Sequence, residues 1–367
     1  MRIGIDAREL CGRPTGVGRY LDCLLSAWAD LPEARPHEFV LFAPDAPAHA
    51  PASRFALRVI PGGTGTRWEQ LTLGPAANAA RLDVLFAPAY SVPLRATMPV
   101  VVTMHDVSFA ARPEWFRWRE RTRRTWLARR SVRKARTVLA VSAFVRDEIV
   151  RHLQVPRDRI RVIRHGVHVP GWADDDAQPT VPAREPLVLY VGSIFNRRHV
   201  PDLMRAFASL VSRHPEARLE IVGDNRTHPF QDLDTLLAAL ALGSAARLRP
   251  YASDEALGGL YRRAGVFAYL SEYEGFGLPP LEALAAGVPV LLGDTPVARE
   301  IFGNAARYVP SDDIDAIVSG LESLLFDSSA REDLMARAPA VLSRYSWPAA
   351  ARETLDALED AGKDGAR

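Results

Sequence analysis

Cysteine is scarce in this chain, and Cys11 and Cys23 are the only two. Two thiols cannot build a disulfide framework, and neither stands at a metal-ligand spacing, so a reducing, cytoplasmic setting is expected. No apolar run approaches the roughly 18 residues that span a bilayer. Met1–Asp6 reads as a short buried strand rather than a leader peptide. There is no low-complexity segment and no internal repeat, which argues against solenoids and propellers. The dinucleotide fingerprint also lacks its third glycine: Gly16 and Gly18 are followed by Leu21 where that glycine belongs. Asp45 compensates weakly near the end of the second predicted strand, so an NAD-dependent dehydrogenase is disfavoured. Clustered Asp and His residues at metal-binding spacing are missing as well, and neither a metal nor a cofactor is expected.

What is present is an ordinary globular composition, 48% apolar and 25% charged, over 367 residues. That length suits two α/β domains better than one. The net charge of +2 conceals an asymmetry: residues 1–170 carry 27 Lys+Arg against 15 Asp+Glu, and the remainder carries 19 against 29. A basic front half and an acidic back half support two domains, the first attractive to anionic partners.

Short β-branched runs alternate with helical patterns throughout, the mark of doubly wound parallel sheets. Front-half strands are expected at Ile3–Asp6, Phe39–Phe42, Leu57–Ile60, Val84–Ala87, Val100–His105, Val138–Val141 and Ile160–Arg164. Most are apolar on both faces, as central parallel strands are. Pro170-Gly171-Trp172 and the acidic, proline-rich residues after it read as a linker. The alternation then resumes at Leu187–Val191, Leu219–Val222, Val266–Leu270 and Val288–Leu292. These patterns divide the chain into a Rossmann-like domain over 1–170, a linker over 171–186, and a second Rossmann-like domain over 187–345. A helix over 346–367 follows, with Ala351, Leu355 and Leu358 on one face. Ligands in such sheets bind beyond the carboxyl ends of the strands.

The most specific segment runs Glu274-Gly275-Phe276-Gly277-Leu278-Pro279-Pro280-Leu281-Glu282 and closes on Gly287-Val288-Pro289-Val290. Pro279 and Pro280 suit the first turn of a helix, where a missing N–H matters little. Bare glycine backbone admits a ligand closely, and amides at a helix start favour phosphate or sugar oxygens. Glu274 and Glu282 flank that turn, and carboxylates accept hydrogen bonds from paired hydroxyls. Without a ligand, the same residues make a proline-rich helix start with a solvated carboxylate.

This segment resembles the Glu-x7-Glu motif of the glycogen-synthase-like retaining glycosyltransferases of family 4, which have the GT-B fold. Other segments resemble that family in order: Ile5-Asp6-Ala7-Arg8 with Thr15-Gly16-Val17-Gly18-Arg19-Tyr20, Thr103-Met104-His105-Asp106 with Pro113-Glu114-Trp115-Phe116, Tyr190-Val191-Gly192-Ser193 through Arg197-Arg198, and Tyr345-Ser346-Trp347. The resemblance covers nearly the whole chain. It implies two domains facing each other across a cleft, an acceptor-side first domain, a donor-binding second domain and a last helix that crosses back to the first. It also implies a nucleotide diphosphate sugar as donor, metal-independent retaining chemistry, and catalytic roles for His105, Arg197, Arg198 and Glu274. Donor contacts are implied for Gly16, Gly18, Gly192, Ser193, Tyr251, Ala252, Gly275, Phe276, Gly277, Leu278 and Glu282. Overall likeness favours mannosyl transfer from GDP-mannose, with UDP-sugars next, in surface polysaccharide or glycoconjugate synthesis. The chain departs from the family where Arg198 replaces a common lysine, where Ser193 replaces a basic residue of some members, and where His165-Gly166-Val167-His168 replaces Asn-Gly-Val-Asp. A non-catalytic nucleotide-sugar-binding protein on the same fold is the alternative.

Residues 112–136 hold 11 Lys+Arg against Glu114 and Glu120, with Trp115, Phe116, Trp118 and Trp126 interleaved. Such a helix suits an anionic membrane surface, which would place a lipid-linked acceptor within reach of a peripheral enzyme. A solvated helix with its aromatics packed inward fits the same composition. Nucleic acid is not expected, since no fold signal for it accompanies the arginines.

Overall fold

The computed structural model describes residues 1–12, 15–47, 52–169 and 184–365. Most of the expected linker, residues 171–183, therefore lies outside the described residues. The chain forms two compact units, Met1–Gly166 with Tyr345–Arg367, and Val167–Arg344.

In the first unit seven parallel strands form one sheet: β1 (Arg2–Asp6), β2 (Glu38–Ala43), β3 (Phe55–Val59), β4 (Val84–Ala87), β5 (Val100–Met104), β6 (Thr137–Ala140) and β7 (Ile160–Val162). Their order is β3-β2-β1-β4-β5-β6-β7, so the direction of winding reverses between β1 and β4. Ile3, Ile5, Val40, Leu41, Val84, Val101 and Val138 are fully buried, because helices cover both faces. β3 departs from that pattern: Leu57 and Val59 stay 37% and 45% exposed, since this strand lies at the edge.

The helix Gly16–Asp30 starts where the Thr15 side chain accepts from the Gly18 amide, and it buries Leu21, Leu24, Leu25 and Trp28 on one stripe. Trp28 donates to the Ala351 carbonyl at 2.8 Å, tying this helix to the last one, Trp347–Gly365. Ala351, Leu355 and Leu358 of that last helix are buried. Gly166 lets it approach, because a Cβ there would collide with the Trp347 backbone.

The second unit holds β8 (Leu187–Val191), β9 (Arg218–Val222), β10 (Ala246–Arg249), β11 (Val266–Tyr269), β12 (Val290–Gly293) and β13 (Arg307–Val309). All are parallel in the order β10-β9-β8-β11-β12-β13, with the reversal between β8 and β11. β10 and β13 escape sequence reading because both are short, arginine-bearing edge strands with no apolar run. Each unit is thus a doubly wound, Rossmann-like domain. Among the described residues no helix is long and apolar enough to cross a membrane.

Candidate active site

In the second unit the chemistry-bearing residues collect where the strand order reverses. Arg197 and Arg198 follow β8 in the short helical turn Asn196–Arg198, and Glu274 lies in the loop after β11. Crevices at such reversals are the usual ligand sites of open α/β sheets. Arg198 Nε donates to Glu274 Oε1 at 2.8 Å, and Arg198 Nη1 donates to the Ser193 carbonyl at 2.6 Å. Gly192 makes room for this guanidinium: at φ +140 it favours glycine, and a Cβ would stand 2.9 Å from Arg198 Nη1. The same guanidinium lies over the rings of Phe195 and Tyr269, at 5.4 Å and 5.1 Å, and Arg197 lies 4.4 Å from the Phe195 centroid.

Glu274 is the hub of this arrangement. Its Oε1 also accepts from Tyr269 at 3.2 Å and from Ser271 at 2.8 Å. Burial alone would push its carboxyl up; Arg198 and then Arg197 outweigh burial and hold it below the usual carboxylate range. Gly277, in the left-handed region at φ +93, precedes the helix Leu278–Ala285. Gly275 and Phe276 are buried, and Leu278 is half-buried. Glu282 is buried on that helix and accepts from the Tyr261 hydroxyl at 3.1 Å.

Sequence reasoning missed Phe195, Tyr261, Tyr269 and Ser271. The one available signal was Tyr269, an aromatic at the very end of a strand leading into the motif. Tyr251 is 58% exposed and Ala252 is half-buried, in the loop after β10. A separate cavity of about 270 Å³ lies among Leu187, Arg218, Glu220, Arg247, Arg249 and Arg263. Its Arg249 is held by Glu220 and its Arg263 by Glu185.

In the first unit Gly18 has a packing role. Its amide is taken up by Thr15 at 2.9 Å, and a Cβ would press on the Glu9 carbonyl. Around Gly16 there is open space. His105 follows β5 directly, with Nε2 2.7 Å from the Pro88 carbonyl. Tyr20, Tyr90 and His165 surround its ring at 4.9, 5.7 and 5.5 Å. Burial pulls its pKa down to about 4 against the Pro88 contact and Asp106, so the ring is neutral at physiological pH. His165, stacked on Trp347, is held well below its usual value by burial and by His105. Asp106 accepts from the Ser108 amide at 2.9 Å and from the Ser108 hydroxyl at 2.8 Å, which fixes the turn entering the helix Ser108–Ala111.

The basic segment forms the helix Trp118–Lys134, which buries Leu127, Ala128, Ser131 and Val132. Trp118 and Trp126 point outward, 68% and 52% exposed, so inward packing does not account for them. Arg119 and Arg130 stack on these rings at 5.2 and 5.5 Å. Among the described residues no three His, Cys, Asp or Glu side chains group as metal ligands.

Comparison with known proteins bears on both units. Residues 14–169 match the model described as Glycosyltransferase Family 4, and residues 173–341 match the one described as Glycosyl transferases group 1. The chain is 30% identical over 279 residues to O-antigen chain mannosyltransferase B of Escherichia coli, covering 71% of this chain and 70% of that protein. It is 31% identical over 257 residues to the D-inositol 3-phosphate glycosyltransferase of Streptomyces scabiei, covering 64% and 56%. Sucrose-phosphate synthase from Thermosynechococcus elongatus superposes with a TM-score of 0.75 at 20% identity, over 98% of both chains, a likeness of fold. With two doubly wound domains and the Glu-x7-Glu segment at a strand-order reversal, the chain belongs to the family 4 glycosyltransferases of GT-B fold and resembles the mannosyltransferases of polysaccharide synthesis.

Proposed function

We propose that this glycosyltransferase moves a hexosyl group, mannosyl by preference, from a nucleotide diphosphate sugar to a glycan or lipid-linked acceptor, with retention at the anomeric carbon and without a metal. The observation that carries this reading is the meeting of Arg197, Arg198 and the Glu274–Leu278 turn where the sheet of the second unit reverses. GDP-mannose is favoured over UDP-sugars by likeness to an O-antigen mannosyltransferase, and the inositol phosphate glycosyltransferase relative keeps a phosphorylated acceptor in view.

A diphosphate is already a good leaving group, so the protein's task is positioning and stabilising the charge that departs. Arg197 and the amides of the Gly275–Leu278 turn face that charge. Arg198 contributes from behind, fixing Glu274 through Oε1 so that Oε2 is the oxygen offered to a sugar hydroxyl. Glu282 accepts from the ribose hydroxyls. The acceptor oxygen bonds to the anomeric carbon on the face from which the phosphate leaves, and the departing phosphate oxygen takes the acceptor's proton. The exposed arginines and tryptophans of Trp118–Lys134 hold the enzyme against anionic lipid, where a lipid-linked acceptor resides.

A thermal-shift screen over nucleotide diphosphates, followed by NMR of the product's anomeric centre, tests this reading. Stabilisation by GDP above UDP and an α-linked product from an α-linked donor are expected. Protection by NAD alone, or a product of inverted configuration, would overturn it.

A further inference from the structure

A group of buried charges that this transfer leaves unused lies at the strand-order reversal of the first unit. Asp6 ends β1, Arg8 follows it, and Glu69 opens a π-helical turn, Glu69–Leu73, inside the helical stretch that leads towards β4. Glu69 is 0% exposed and Asp6 1%. Arg8 Nη2 donates to Glu69 Oε1 at 2.7 Å and lies 3.1 Å from Asp6 Oδ2. Two buried carboxylates on one guanidinium are a poor way to gain stability, because desolvation offsets the Coulomb attraction. π-helical turns also collect at functional sites.

These charges hold a loop. Ser91 Oγ donates to Glu69, 2.7 Å from Oε1 and 2.9 Å from Oε2. Gln70 donates to the Val92 carbonyl and accepts from the Leu94 amide, each at 2.9 Å. The loop leaving β4 is thereby fixed at its far end. At its near end the Pro88 carbonyl meets His105 Nε2 at 2.7 Å. A carbonyl can only accept, so the imidazole proton must sit on Nε2, and Nδ1 carries the lone pair. Between the two ends Tyr90 stands in the left-handed region at φ +49, a strained place for a tyrosine. Its ring packs edge-on against His105, and its hydroxyl donates to Asp106 at 3.4 Å.

We propose that Glu69, held by Arg8, which Asp6 pairs with in turn, is a positioning residue: through Ser91 it sets the Pro88–Ser91 loop so that His105 is kept as the Nε2–H tautomer, with Nδ1 the acceptor for a sugar hydroxyl. The hydroxyl rests on the transferase reading above, whereas the tautomer does not.

Long-range proton–nitrogen NMR of the full-length protein with labelled histidine reads the tautomer directly, with His105 assigned by its loss in His105→Gln. Wild type should show the Nε2–H form alone. Ser91→Ala removes only the hydroxyl that links Glu69 to the loop. It should populate the other tautomer and lower kcat about tenfold while leaving the donor KM unchanged. Ser91→Thr should restore both. Glu69→Gln should act like Ser91→Ala, and if it fails to fold, Ser91→Ala decides alone. An unmixed Nε2–H tautomer with wild-type kcat in folded Ser91→Ala would overturn the proposal. A tautomer shift in a protein that transfers sugar from no nucleotide donor would refute the transferase reading and still support the positioning role.

Discussion

Arg198 serves Glu274, the Ser193 carbonyl and two aromatic faces at once. Removing it leaves the half-buried Glu274 carboxylate without its main counter-charge. Arg198→Ala should therefore cost about 3–5 kcal/mol of stability, read as a lower urea midpoint, as well as activity. Arg197→Ala weights the two effects differently: as the lesser counter-charge to Glu274 it should lower the midpoint less than Arg198→Ala does, while the transfer rate falls further than donor affinity. Equal losses in rate and affinity would reduce Arg197 to a docking contact. Glu282→Ala should weaken binding of the nucleotide sugar by roughly 1.5–3 kcal/mol in calorimetry, since ribose hydroxyls lose a charged acceptor. Tyr261→Phe is its control, removing one donor to Glu282 at a cost of about 1 kcal/mol in stability with donor affinity retained.

Residue chemistry also fixes the response to acid. His105 titrates at about 4 in the folded chain against the usual 6.5, and His165 lies well below its usual value. Between those limits the unfolded chain binds protons that the folded chain refuses, so stability falls as pH drops. Asp6 works the other way: burial, with help from Glu69 and against Arg8, raises it to about 6, so the folded form takes that proton first. From about pH 7 to pH 5 His105 alone should remove about 2 kcal/mol, and with His165 beside it the two histidines outweigh Asp6. Urea midpoints across that range test the sign, and His165→Asn should flatten the loss. A midpoint that rises towards pH 5 would show that Asp6 governs instead.

At the scale of elements, the helix Trp118–Lys134 is divided between a narrow buried stripe and a broad basic face that carries two exposed indoles. Each arginine near an anionic surface contributes roughly 1 kcal/mol, fading over a Debye length, so a handful give salt-sensitive binding. Sedimentation with phosphatidylglycerol-containing vesicles should increase with anionic lipid and weaken with salt. It should collapse when Arg119, Arg121 and Arg130 become Glu. Arg123 is left out of that variant because it donates to Thr66 at 2.8 Å, and its loss would disturb the neighbouring helix. Protein that remains in the supernatant at low salt would remove the lipid surface from the proposal.

For the whole molecule, the first unit is discontinuous: its sheet comes from the front of the chain and its covering helix from the back. Trp347, Leu355 and Leu358 are buried there, and each such side chain is worth about 1.5–3 kcal/mol on burial. Their sum rivals the total stability of a domain, so ending the chain at Arg344 should leave the first unit unfolded. Loss of the near-ultraviolet circular dichroism of the buried Trp28 and Trp68 would report it, and a truncated chain with a wild-type spectrum would contradict it. Chelator should leave transfer unchanged if Arg197 and the turn amides carry the phosphate charge; abolished activity would overturn the metal-free reading.

Much of this architecture is legible in the sequence. β4 and β8 were delimited residue for residue, because a parallel strand covered on both faces must be apolar at every position, and such runs are local. The Glu274–Val290 segment announced itself for a related reason: prolines, glycines and carboxylates at fixed offsets dictate a turn and a helix start with no help from distant residues. The partners of those residues were decided by the tertiary structure. That Arg198 binds Glu274, that Gly18 packs on Glu9, and that Glu69 reaches Ser91 all depend on which strands lie side by side. Edge strands β10 and β13 stayed hidden because pairing on one side only asks little of composition. The sequence by itself determined the apolar central strands, the doubly wound class of both domains and the family motif, since those follow from periodicity and local backbone chemistry. Strand order brought Arg198 to Glu274 and Pro88 to His105, because hydrogen bonds between residues far apart in the chain leave no periodic trace in it.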